Sequence, residues 1–185
     1  LALQLPNAYN TDSIDESSRD QDWLTIREAV MQAIHKCDLF RQQEGKMTAD
    51  KLTDYILSIR TLLDQVIEQD QFRIPAVRER LEKQVREMLS DENFDQNRFE
   101  QELIYYIEKF DISEEKIRLA NHLTYFQETL SSSESNGKKL NFIAQEIGRE
   151  INTIGSKAND STIQHLVVRM KDELEKIKEQ TMNII

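Results

Sequence analysis

Apolar residues recur every three or four positions through most of the chain, the spacing of one helical face. Asp20 or Asp22 can cap a first helix, and Trp23, Ile26, Val30, Ile34, Cys37 and Phe40 form its stripe. That helix is predicted to run to about Glu44 and to stop at Gly45, since glycine is common just past helix ends. Thr48 caps a second predicted helix, in which Leu52, Ile56, Ile59, Leu63 and Val66 keep a four-three rhythm, as in a coiled-coil seam. Pro75 suits the first turn of a third, with Val77, Leu81, Val85 and Met88 or Leu89 inside. After a turn over 90–96, a fourth helix points Phe99, Leu103, Tyr106, Ile107 and Phe110 inward. A fifth begins at Asp111 or Ser113, with Ile117, Ala120, Leu123, Phe126 and Leu130 inside.

The segment 137–160 organises the rest. One face carries Leu140, Ile143, Ile147, Ile151 and Ile154 and asks for a core. The other carries Gln145, Glu146, Arg149, Glu150, Asn152 and Thr153, a concentration of different polar chemistries. Asp160 caps a last helix in which Ile163, Val167, Met170, Leu174, Ile177 and Ile184 hold the four-three rhythm, Thr181 filling one slot. The pattern therefore predicts an all-α fold, an elongated multi-helix bundle of six or seven helices. The 137–160 helix and the last helix are expected to pack together. Residues 1–20 read as a linker from a missing upstream domain, 21–130 as a helical middle region, 131–137 as a flexible loop and 138–185 as C-terminal helices.

Composition agrees with the helical reading: 185 residues include only four glycines and two prolines. A formal net charge of −10 argues against a domain that coats nucleic acid with its whole surface. It leaves room for a local basic patch, a metal-bridged contact or positive charge from another domain. Cys37 is the one cysteine, so no intrachain disulfide framework exists; its apolar helical position reads as core. No apolar run reaches the roughly 18 residues of a membrane span, and no signal peptide is visible. A reducing, cytoplasmic setting follows as the expectation.

Candidate chemistry gathers in the second half. Glu146 and Glu150, four apart, lie one above the other on a helix and repel by about 0.2–0.5 kcal/mol if exposed. A cation relieves that repulsion, and oxygen ligands suit Mg²⁺ or Mn²⁺. The bland alternative is a solvated acidic face with Arg149 neutralising a neighbour. Lys138, Lys139, Arg149 and Lys157 lie near the pair in sequence, and can hold phosphates. Lys138 and Lys139 sit at a helix N-terminus, the less favourable end for cations. Arg118 and His122 share a helix face, and a neutral histidine beside a phosphate can move a proton in RNA cleavage. His35 and His165 have no such neighbours. Gly-rich phosphate loops, zinc spacings and nucleophile elbows are missing. Aromatics are few and fall mostly at core positions, so a base-stacking platform is not expected.

The order Gly137-Lys138-Lys139-Leu140-Asn141-Phe142, then Gln145-Glu146, Arg149-Glu150, Asn152-Thr153 and Ser156-Lys157, resembles the C-terminal signature of the YicC/YloC family. Glu179-Gln180 with Asn183-Ile184 is similar to that family's tail. Arg118-Leu119 with His122 resembles its Arg-Leu-x-Ser-His element, and Arg41 with Glu44-Gly45 its Arg-x-x-Glu-Gly element. The resemblance runs from about Trp23 to the end. It departs at Asn121, where serine is commoner, and at Gly148, where asparagine is commoner. It implies a divalent-metal-dependent endoribonuclease acting on structured, hairpin RNA in RNA decay, assembled as a homohexamer. It further implies an N-terminal β-containing domain before the helical part, which would make Leu1 a mid-protein residue. Glu146, Glu150 and His122 would then be catalytic, the two glutamates holding the metal. Arg118, Lys138, Lys139, Arg149 and Lys157 would contact RNA. The rival expectation is a non-catalytic helical oligomerisation or adaptor module, in which the same polar cluster makes subunit contacts.

Overall fold

A computed structural model describes residues 16–88, 96–132, 136–182 and 184. The expected turn over 90–96, most of the expected linker and the centre of the serine-rich loop lie outside the described residues, as do the side chains of Leu81, Val85 and Met88. The described residues form five α-helices and no strand: α1 (Glu16–Met88), α2 (Gln96–Phe110), α3 (Ser113–Leu130), α4 (Gly137–Ala158) and α5 (Ser161–Thr181). The all-α expectation holds; the count of six or seven does not. Three helices expected before residue 90 are one continuous α1.

The two expected breaks fail for physical reasons. A glycine stops a helix by turning left-handed, and no described glycine has positive φ. Gly45 stays helical in open surroundings, at a cost of about 1 kcal/mol relative to alanine. Thr48 is therefore interior rather than a cap. Pro75 also lies inside α1. It forgoes the bond to the carbonyl of Gln71, but Gln71 and Pro75 are both exposed, so water can pair that carbonyl.

The chain divides into two compact units, 1–47 and 48–185. In the first, every residue from Asp20 to Met47 is exposed. Trp23, Ile26, Val30, Ile34 and Phe40, a stripe that asked for a core, have none among the described residues. Cys37, expected as a small core residue, is exposed as well.

The second unit holds a core drawn from α1, α3, α4 and α5. The seam Leu52, Ile56, Ile59, Leu63 and Val66 is buried as its rhythm requires. In α3 the inward stripe is Leu119, Leu123 and Phe126, preceded by Ile112, whereas Ile117 points out at 64 % exposure. The isoleucine face of α4 and the rhythm of α5 from Ile163 to Thr181 are buried as expected, whereas Ile184 lies beyond the end of α5 and is half-buried. Each fully buried isoleucine contributes about 1.5–3 kcal/mol relative to exposure.

Helix α4 is the central element, packed against both α3 and α5. Small residues allow the second contact. A Cβ on Gly148 would lie 3.0 Å from a Leu174 methyl, and one on Gly155 3.0 Å from Val167 Cγ1. A Cβ on Gly137 would collide with the backbone carbonyl of Ile184. Asn159, at φ 44°, supplies the left-handed residue that ends α4. Asp160 then caps α5 by accepting from the Ile163 N–H at 2.9 Å, as expected. 

Candidate functional site

All the candidate residues lie in the second unit, on α3 and α4. Two bridges fix how these helices face each other. Lys157 Nζ lies 2.7 Å from Glu115 Oε1 at one end. Lys139 Nζ stands 4.8 Å from the Tyr125 ring centroid at the other. Residue numbers rise along α3 as they fall along α4, so the pair is antiparallel. Between the bridges, the register puts the turn of His122 level with the Phe142–Glu150 stretch of α4, with Arg118 one turn towards the Lys157 end. On this register Arg118 and His122 of α3 lie across from the stretch of α4 that holds Glu146 and Glu150, and no hydrogen bond or ion pair joins the two sets among the described residues.

Glu150 is the unusual member. It is only 4 % exposed, yet its side chain has no hydrogen bond or ion pair among the described residues. Its carboxylate oxygens are not among the fully buried unpaired atoms, so most of the side chain is covered while the oxygens themselves reach solvent and stay open to a ligand. Glu146, one turn earlier, is half-buried and meets Arg149 only at 3.8 Å. His122 is half-buried and likewise has no partner among the described residues. Arg118 pairs with Glu114 on the exposed side of α3.

The cationic candidates divide. Lys157 is committed to the buried Glu115. Lys139 leans on an aromatic ring. Lys138 and Arg149 lie with Phe142 on the solvent stripe of α4. Among the described residues, no group of three or more His, Cys, Asp or Glu side chains is arranged to hold a metal ion. Glu146 and Glu150 can still supply two carboxylate ligands to a Mg²⁺ or Mn²⁺ completed by water and substrate phosphate, the usual Mg²⁺ arrangement. The unpartnered Glu150 oxygens fit that role.

Sequence reasoning missed an ionic layer beside the seam. Arg73, 4 % exposed, donates to Asp70 Oδ1 at 2.7 Å, to the Phe110 carbonyl at 2.7 Å and to the Ala158 carbonyl at 3.1 Å. It closes the C-terminal ends of α2 and α4 at once, where a cation is favoured by the helix dipoles. Lys116 shares Asp70, at 2.6 Å. The buried Glu115 Oε2 has no partner of its own. A signal existed: extending the rhythm of Leu52 to Val66 lands on Asp70 and Arg73. Nearby, hydrogen bonds from Ser113, aided by Lys116 and Lys157, hold the Asp111 carboxyl below its ordinary pKa. A separate groove of about 470 Å³, lined by Ser58, Gln65, Arg169, Asp172 and Lys176 among others, contains none of the candidate residues.

Residues 66–185 match the family model described as "Endoribonuclease YicC-like, C-terminal". The chain belongs to the YicC family. It is 36 % identical over 174 residues to a protein of Clostridioides difficile strain 630 named "Probable endoribonuclease YicC", covering 92 % of this chain and 59 % of that protein. It is 29 % identical over 184 residues to a protein of the same name from Haemophilus influenzae, covering 98 % of this chain and 62 % of the relative. The chain therefore spans about three fifths of the length of these YicC relatives. The family model covers the whole α3–α4 seam and begins at Val66, so it also takes in Asp70 and Arg73.

Proposed function

We propose that this chain is the helical part of a metal-dependent YicC-type endoribonuclease that cleaves structured, hairpin RNA in the cytoplasm during RNA decay, with its reactive groups on the α3–α4 seam. The observation that carries the site is Glu150, a residue only 4 % exposed whose carboxylate has no partner among the described residues and reaches solvent, one turn from Glu146. The names of the relatives support the reaction class.

A Mg²⁺ or Mn²⁺ held by Glu146 and Glu150 would supply electrostatic stabilisation of charge developing on the phosphate. The chain's own groups do the rest. His122 accepts the 2′-hydroxyl proton as the 2′-oxygen bonds to phosphorus. The bond from phosphorus to the 5′-oxygen breaks, and that oxygen takes a proton from water. Arg118 orients the phosphate from one turn away on α3, and Lys138, Lys139 and Arg149 hold flanking phosphates along α4. Lys157 acts on RNA only by exchanging Glu115 for a phosphate. On this reading the functional unit is a homohexamer, and the exposed apolar residues from Trp23 to Phe40 support assembly through the first unit.

The same exposed stripe favours the rival reading, a helical assembly or adaptor module without catalysis. One experiment separates them. Glu150→Gln in the full-length protein should lower Mn²⁺-supported cleavage of a hairpin RNA at least about 100-fold while assembly persists. Unchanged cleavage, or cleavage of equal rate in EDTA, refutes the catalytic assignment.

A further inference from the structure

Phe142 stands in the middle of the solvent stripe of α4 and is 61 % exposed. Lys138 precedes it by about one turn and Arg149 follows by about two, on the same face. Lys138 has no ion pair or hydrogen bond among the described residues. Arg149, whose side chain is 71 % exposed, meets Glu146 only at 3.8 Å. Lys139 is held by the Tyr125 ring rather than by a carboxylate, and Tyr125 is itself 45 % exposed. A π face fixes an ammonium group without neutralising it. In a chain of net charge −10, the surroundings of Phe142 are therefore a local concentration of positive charge around one exposed ring.

An apolar protein partner would need apolar neighbours around that ring to bury a useful area. Within one turn or two on its own face, Phe142 has Lys138, Lys139, Gln145, Glu146 and Arg149 instead. A flat apolar surface on an anionic backbone is what these groups complement, and an unpaired nucleotide has both. We propose that Phe142 is the stacking platform for an unpaired RNA base, with Lys138, Lys139 and Arg149 on the phosphates to either side. This rests on the reading of the chain as an RNA-cleaving protein and adds which part of the RNA it grips: a single-stranded loop or end, not the paired stem. It also revises the expectation that no stacking platform exists here, since Phe142 is not at a core position.

The test uses the full-length protein in EDTA, so that binding is read without cleavage, and a hairpin RNA carrying 2-aminopurine at each loop position in turn. Stacking quenches that base. Binding of the wild type should quench at least one loop position. Phe142→Ala should abolish the quenching and weaken hairpin binding roughly 5- to 100-fold. It should leave the slope of affinity against salt unchanged, and leave binding of a blunt duplex without a loop unchanged. Phe142→Trp should restore both quenching and affinity, and Lys138→Ala should flatten the salt slope. Wild-type affinity and quenching in the Phe142→Ala variant overturn the stacking assignment alone. So does a Phe142→Ala variant that loses assembly, by sedimentation, while its RNA affinity is unchanged, for then the ring lies between copies of the chain. No RNA binding by the wild type overturns the functional reading and this inference together.

Discussion

Arg73→Ala is the sharpest test of how the second unit is held. Arg73 is 4 % exposed and spends its guanidinium on Asp70, the Phe110 carbonyl and the Ala158 carbonyl. Removing it leaves two helix-terminal carbonyls without their donor. Hydrogen bonds to a charged donor are worth about 1.5–3 kcal/mol each, and the two losses overlap. Asp70 keeps Lys116 at 2.6 Å, so the carboxylate is not stranded. The loss then falls at about 3–5 kcal/mol, the range for breaking a buried charged contact from one side. Against a typical total of about 5–15 kcal/mol, that is a large share. Urea denaturation followed by far-ultraviolet circular dichroism measures it, with the slope m checked for constancy. Arg73→Lys should recover only part, because one ammonium cannot span both helix ends and Asp70. A loss below about 1 kcal/mol for Arg73→Ala would refute the claim that this side chain ties α2 and α4 to α1.

Two further predictions concern packing and acid. Gly155→Ala should destabilise more than Gly148→Ala in the same denaturation assay, since the new methyl meets the stiff Val167 in one case and the movable end of Leu174 in the other; equal midpoints would count against the close α4–α5 approach. Asp111 is held below its ordinary pKa, so its stabilising contribution is complete above about pH 4 and is lost as pH falls through the lowered folded value. The stability difference between wild type and Asp111→Asn should therefore shrink below about pH 4, and a gap that widens there would contradict the Ser113 hydrogen bonds as its cause.

The helical faces of α4 and α5 were readable because each is a long run with a single period and a buried partner on that face. The continuity of α1 was not. Glycine and proline are local signals, and Gly45 and Pro75 sit where solvent can absorb the cost of ignoring them. The seam was partly legible: spacing alone put Glu146 above Glu150, but only the fold shows that Glu150 is the buried one. The Glu115–Lys157 and Asp70–Lys116 contacts join residues distant in sequence, and no short pattern announces them. Phe142 was not singled out, for a different reason. It interrupts no rhythm, so its exposure becomes visible only when the isoleucine face beside it is seen to be turned inward.

The exposure of the first unit decides what light can report on this molecule. The chain has a single tryptophan, Trp23, and it is 63 % exposed in the unit that lacks a described core. Its emission starts out like that of a solvated indole, so melting of residues 48–185 leaves the dominant fluorophore nearly unchanged. The same indole becomes a built-in proximity probe. Any subunit or domain that seats on the Trp23 to Phe40 stripe shifts its emission to shorter wavelength without a label, while the core that carries the seam contributes no tryptophan signal.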